Sequence, residues 1–426
     1  MKVSKILFAL TFAVAMSLSM TGCGGDDSSD GGNGGSGGGG GTAMTESEQK
    51  EYIDKTGREL VDKINADDFK PITELATFVD ENLTRTATNR SSKTDALEDF
   101  FEAAVDMCTL ENTKEHIRRL FEMSKFSAEF SYRNGEWVKT GTPNNTLRFN
   151  FNDKNGQPCV AEAVGSGSEV VVHASVFDDK HKRYDYTNGY TSYTQTEENS
   201  FKVPEQVNVK LTRGNSILVD IQVNINVSGG EFKYNAGNAS VTMNANIVGY
   251  SITLSRAYYN GGNNAGVDVT VSKGGELLVK AIASANVRIN EDGEFVSAGN
   301  GNVNVDILGK VQVRGTVDDF NKVRDLDKQI NSESSEAEVK NVADQMNKQF
   351  NIGVYFNNGS TRQAYLQAYP FLEKKSYYER WRIEPVLYFD DGTSYSTFEA
   401  LGDDSRFNEL VEKVKKLVTD FKNLVK

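Results

Sequence analysis

The longest regular pattern in the chain is a strict alternation. Ile217, Val219, Ile221, Val223, Ile225 and Val227 are apolar, while Asp220, Gln222, Asn224, Asn226 and Ser228 are polar. A period of two sends successive side chains to opposite faces of a strand, so this segment predicts a strand of about twelve residues, roughly 40 Å long. One face is dry and the other wet. The alternation returns at Ala239, Val241, Met243, Ala245 and Ile247, at Val267, Val269 and Val271, through Leu277, Val279, Ala281, Ala283, Ala285 and Val287, and at Val303, Val305 and Ile307. Residues 126–317 therefore read as an antiparallel meander. Asn134-Gly135, Asn155-Gly156, Asn188-Gly189, Asn358-Gly359 and Asp391-Gly392 fit two-residue hairpin turns, whose central residues need positive φ. The first of these sets Arg133 against Glu136 and Tyr132 against Trp137. A Gly229-Gly230 loop sets Val227 against Phe232. A three-residue loop at 273–275 sets Val271 against Leu277 and Val269 against Val279. At Gly249-Tyr250 the alternation slips to Ile252 and Leu254, which predicts a bulge that bends the sheet.

The flanks switch to helical spacing. Within residues 45–125, Ile53, Leu60, Val61 and Ile64 share a face, and Pro71 opens a second helix carrying Ile72, Leu75, Val79 and Leu83. Asp95 and Glu98 resemble a capping box for a third, which holds Leu97, Phe101 and Cys108. Residues 318–350 are again helical through Phe320, Val323 and Leu326, then Val339, Val342 and Met346. Residues 351–396 read as a short β region. Residues 397–426 close the chain with an amphipathic helix striped by Phe407, Leu410, Leu417 and Phe421. A one-sided sheet must cover its apolar face, so the fold class expected is α+β: a long, bent antiparallel β meander packed against N- and C-terminal helices.

The beginning of the chain sets an address. Lys2 and Lys5 precede an apolar run over residues 6–18 that is too short to span a bilayer, and small residues lead into Cys23. Residues 1–22 read as a lipoprotein signal peptide with Cys23 as the lipidated first residue; the alternative is a plain secretory signal. Residues 23–44 add only Gly, Ser, Asp and similar residues after Cys23, a flexible tether reaching about 25 Å. Cys23-Gly24-Gly25-Asp26-Asp27-Ser28-Ser29-Asp30 resembles the acidic stretch that follows the lipidated cysteine in Bacteroidota surface lipoproteins. That resemblance implies anchorage to the outer membrane through acyl chains on Cys23 and display at the cell surface, with a periplasm-facing location as the alternative.

Charge narrows the partners. The chain carries 47 basic and 60 acidic residues, and losing the signal peptide lowers the net charge from −13 to −15. With no basic stripe, nucleic acid is excluded as a partner. In an extracytoplasmic compartment Cys108 and Cys159 can form one disulfide, or Cys108 can be a buried free thiol on its helix.

Chemistry is sparse. Gly165-Ser166-Gly167-Ser168 lacks the spacing of a nucleophile elbow. His116, His173 and His181 do not have metal-ligand spacing, and residues 151–156 form a turn rather than a calcium loop. The acid pairs Asp318-Asp319, Asp390-Asp391 and Asp403-Asp404 fall at turns or helix starts. No catalytic residue, metal ligand or cofactor is expected. The candidate ligand site is aromatic: closing the Asn188-Gly189 hairpin pairs Tyr184 with Tyr193 and puts Tyr186 on the same face, a surface on which a glycan ring can stack. A second group, including Tyr365, Tyr369, Phe371, Tyr377, Tyr378, Trp381 and Tyr388, is expected in the core. The small Ala281, Ala283 and Ala285 leave room for a close-packed helix or an apolar ligand, the latter in a cavity lined by Val223, Ile225, Ala283 and Ala285. In outline this architecture resembles the lipid-binding lipoprotein carriers of Gram-negative bacteria. The expectation is a non-catalytic binding or interaction module, with a glycan or an apolar small molecule as possible ligand.

Overall fold

The first described helix starts just after the glycine-rich stretch of the sequence. A computed structural model describes residues 44–84, 97, 127–173, 182–183, 194–195, 200–232, 238–260, 264–289, 295–375, 378–395, 401 and 403–424. Thr45 caps α1 (Glu46–Lys63) in a capping box: its hydroxyl accepts from the Glu48 N–H, and the Glu48 carboxylate accepts the Thr45 N–H at 2.7 Å. A 3-10 turn (Ala66–Phe69) leads into α2 (Lys70–Phe78), with Pro71 in its first turn.

Strands then dominate. They are β1 (Ser127–Arg133), β2 (Glu136–Gly141), β3 (Thr146–Asn152), β4 (Pro158–His173), β5 (Lys182–Arg183), β6 (Thr194–Gln195), β7 (Ser200–Arg213) and β8 (Ser216–Val227). Next come β9 (Glu231–Phe232), β10 (Asn238–Ile247), β11 (Tyr250–Asn260), β12 (Asn264–Lys273), β13 (Glu276–Ile289), β14 (Phe295–Ile307) and β15 (Val311–Val317). After α3 (Phe320–Asp327) and α4 (Glu336–Met346) follow β16 (Phe350–Phe356), β17 (Arg362–Lys375), β18 (Tyr378–Tyr388), β19 (Ser394–Tyr395) and α5 (Asn408–Asn423). Apart from the β5–β6 ribbon, these form one seventeen-stranded sheet. Its order is β2-β1-β3-β4-β7-β8 and then β10 to β19 in sequence, with the short β9 beside the end of β4; the pairs are antiparallel except for β1–β3 and β4–β9. The fold is the expected α+β meander with helices at both ends.

In such a meander alternate turns share one end of the sheet, and α1, α2 and α5 lie over the inner face there. Phe69 stacks on Tyr250 at 5.1 Å and meets Phe421 at 5.4 Å, tying α2, β11 and α5 into one core. Trp137 donates its Nε1–H to the Leu83 carbonyl at 3.3 Å. Ion pairs follow the row of turns: Lys63–Glu276, Lys273–Asp68 and Lys310–Glu59. Toward the opposite end α3 and α4 cover the inner face, with Leu326, Val342 and Met346 packed around Ala368 of β17.

Several expected turns differ in detail. Asn134-Gly135 is as expected, both residues at positive φ and Tyr132 paired with Trp137. Gly249 belongs to no bulge: Val248 and Gly249, at φ 45 and 88, form a tight turn that pairs Ile247 with Tyr250 and separates β10 from β11. Gly229-Gly230 does not close a hairpin either. Val227 pairs with Ala239, because β10 takes the free edge of β8, while Glu231–Phe232 adds in parallel to the far end of β4, beyond the reach of β3. The loop at 273–275 is a two-residue Gly274-Gly275 turn, and a bulge between Val271 and Ser272 restores the phase, so Val271 faces Val279 and Val269 faces Ala281. Asn357 and Asn358, rather than Asn358-Gly359, carry the positive φ of the β16–β17 turn.

Candidate functional site

Several residues weighed for chemistry fall among the described residues and make contacts within the fold. Ser166 lies on the outer face of β4 and donates to Gln206 at 2.8 Å; Gln206 donates to Asn224, also at 2.8 Å, and Asn224 to Thr242 at 3.3 Å. This ladder crosses four strands and spends the hydroxyl on the sheet. In the 151–156 turn, Asp153 is buried, accepts from the backbone N–H of Asn155 and Gln157, and pairs with Arg213. Burial opposes its ionisation, but the donors from Gln157, Arg213 and Asn155 prevail and hold its carboxyl below the usual range. Cys159 is a free, buried thiol rather than half of a disulfide, and burial and the nearby Asp153 charge push it up to about 11. Cys108 lies outside the described residues. Asp404 accepts hydrogen bonds from Arg406 and from Tyr395, whose phenol is raised to about 12 by burial and by that carboxylate. Among the described residues, no three His, Cys, Asp or Glu side chains gather as a metal site.

Of the expected ligand sites, Cys23, Tyr184, Tyr186 and Tyr193 lie outside the described residues. The ribbon leading to the tyrosines pairs Lys182 with Gln195 and Arg183 with Thr194, the register that the hairpin reading uses. Of the residues expected to line an apolar cavity, Val223 and Ile225 are buried in the core, whereas Ala283 and Ala285 are half-buried. Beside them Val267 is 37% exposed, and Val269 and Ala281 are half-buried, so the inner face of β12 and β13 is only partly covered.

The expected aromatic core at 365–388 divides between the two faces. On β17 the residues Gln363, Tyr365, Gln367, Tyr369, Phe371 and Glu373 alternate with Ala364, Leu366 and Ala368, and only the latter set faces the helices. Tyr369 is 44% exposed and Phe371 36%, so these two are surface residues. The glutamines of β17 do not announce this face, since Gln363 is buried and donates to the Thr361 carbonyl at 3.1 Å.

Arginines frame this outer face. Arg314 of β15 lies opposite Gly353 of β16, which lies opposite Tyr365 of β17, itself opposite Tyr388 of β18. Arg314 stacks on Tyr355 with its Cζ 4.2 Å from the ring centroid, and Arg362 stacks on Tyr365 at 4.0 Å. Gly353 makes room for this, since a Cβ there would sit 2.4 Å from Arg362 Cδ. Further along, Glu373 pairs with Arg380 at 2.7 Å, and Glu384 pairs with Arg382.

At the opposite side of the sheet an open depression of roughly 300 Å³ is lined by Arg148, Asn150, Glu162 and Lys210. Its charges are matched internally: Arg148 bridges Glu162 at 2.9 Å and Glu129 at 3.3 Å. Comparison with protein-family models, with curated proteins and with solved structures returned no match.

Proposed function

We propose that the chain is a lipid-anchored protein of an outer membrane, displayed at the cell surface, that works as a non-catalytic binding module. What supports this most is the outer face of the sheet: one continuous, broad surface whose amide and hydroxyl ladder and aromatic–arginine region are prearranged by backbone pairing. Recognition on such a surface needs little side-chain ordering at the moment of binding. The anchor reading draws support from the order of the chain, in which the Gly-, Ser- and Asp-rich stretch after Cys23 leads directly to Met44 and the Thr45-capped helix α1.

The test is metabolic labelling with an alkyne fatty acid, followed by protease treatment of intact cells. Label on the wild type that vanishes in Cys23→Ala, with the body cut from intact cells, is the expected result. An unlabelled soluble protein overturns the anchor, and a body protected until the outer membrane is broken moves the protein to the periplasmic leaflet.

The partly covered inner strip around Val267 favours a second reading, a carrier of an apolar molecule. Native mass spectrometry of protein purified from its own membranes, followed by organic extraction, separates the two. A lipid bound near one to one supports the carrier, and an empty protein removes it.

A further inference from the structure

We infer that the outer face of β15–β18 is a binding site for an acidic carbohydrate, one carrying carboxylate or sulfate groups. The inference rests on the binding-module reading and names its ligand class.

The charge is out of place for this chain. On a molecule of net charge −13, Arg314, Arg362, Arg380 and Arg382 gather on one face. Glu373 and Glu384 neutralise the last two. Arg314 donates only to the Gly359 carbonyl, and Arg362 to Asn351 Oδ1 at 3.4 Å; among the described residues neither has a carboxylate within ion-pair distance. Each guanidinium instead lies over a tyrosine ring, and its remaining N–H donors, set in the rigid fork of the group itself, suit a two-oxygen anion.

The rings supply the other half. Tyr369 and Phe371 point to the same side of β17, about 7 Å apart by strand geometry, and both are open to solvent. The face of Tyr369 suits the flat C–H face of a pyranose ring, Phe371, with the Arg382 guanidinium over it at 5.4 Å, extends the apolar surface, and the half-buried Gln367 on the same side offers an amide donor and acceptor to hydroxyl groups. An acidic peptide would satisfy the arginines but has no flat apolar ring face for Tyr369 and Phe371. A neutral glycan would satisfy the rings and leave the arginines without a counterion. Only a ligand with both features uses the whole face.

The experiment is affinity electrophoresis of the full-length protein in detergent, in native gels cast with polygalacturonate, dextran sulfate, uncharged dextran or polyglutamate. Retardation by at least one of the two acidic polysaccharides, and not by dextran or polyglutamate, is expected. R314Q/R362Q should weaken it at least tenfold and flatten its dependence on salt, while Y369A/F371A should weaken it several-fold without changing that dependence. Arg362→Glu, a single change at an exposed side chain, should abolish it, and thermal melts of each variant report folding. No retardation of the unaltered protein by either acidic polysaccharide overturns the inference, as does retardation that the variants do not change. Equal retardation by polyglutamate with Y369A/F371A unaffected also overturns it and points to an acidic protein partner. None of these readouts involves Cys23, so failure of the anchor leaves them intact, and their failure with surface labelling preserved removes only the carbohydrate.

Discussion

Lys50 is fully buried, and its partners explain how a cation is tolerated there. Its ammonium pairs with Asp391 in the β18–β19 turn and lies 4.9 Å from the centre of the Phe389 ring. Asp391 also accepts from the N–H and hydroxyl of Thr393. Burial penalises the Asp391 charge, yet Lys50 and Thr393 outweigh it and hold the carboxyl at about 2. Asp391→Asn strands a buried charge and should cost about 3 kcal/mol in chemical denaturation, whereas Lys50→Met removes both the charge and its desolvation and should cost less than about 1 kcal/mol. The folded pKa lies below the unfolded value of about 3.9, so this pair stabilises the protein above pH ~4, and its contribution is lost as pH falls through about 2. Acid unfolding followed by tryptophan fluorescence should lose that component in Lys50→Met. Asp391-Gly392 was legible as a turn because the dipeptide carries its own backbone preference. Lys50 was not legible as core, because nothing local distinguishes a lysine that meets a carboxylate 341 residues away.

Elements were legible wherever one period ran uninterrupted. The alternation from Ile217 to Val227 became β8, and the stripe from Phe407 to Phe421 became α5. Turns were missed where the residue type argued against them. Val248 is β-branched and sits at φ 45, a conformation such residues avoid, so the glycine and the phase slip that follow it read as a bulge rather than as the end of β10. Packing between elements imposes constraints of its own. Gly57 of α1 lies against Leu410 of α5, where an added Cβ would come within 2.8 Å of a leucine methyl. Leu410 is buried and cannot swing clear. Gly57→Val should therefore destabilise by about 2 kcal/mol, read as a lowered urea midpoint with an unchanged slope.

At the scale of the molecule, one sheet holds strands from nearly the whole body, and its inner face is shared by helices from both ends of the chain. Removing residues 1–43 should leave the melting temperature unchanged, since the stretch after Cys23 is mainly glycine, serine and aspartate with little apolar surface to bury, whereas Met44 packs against the core and is kept. Removing residues 403–426 takes away Phe407, Leu410 and Phe421, all buried in the common core, and should abolish cooperative unfolding seen by calorimetry. The sequence alone determined the strands, the one-sided character of the sheet, the helical cover and the reading of the N-terminus as an anchor, because periodicity, capping and turn chemistry act over a few residues. Tertiary structure alone decided which strand takes the free edge of β8, which tyrosines of β17 face water, and where Arg314 and Arg362 meet their rings. Those outcomes depend on pairing between segments far apart in the chain, where a one-residue change of phase exchanges core for surface.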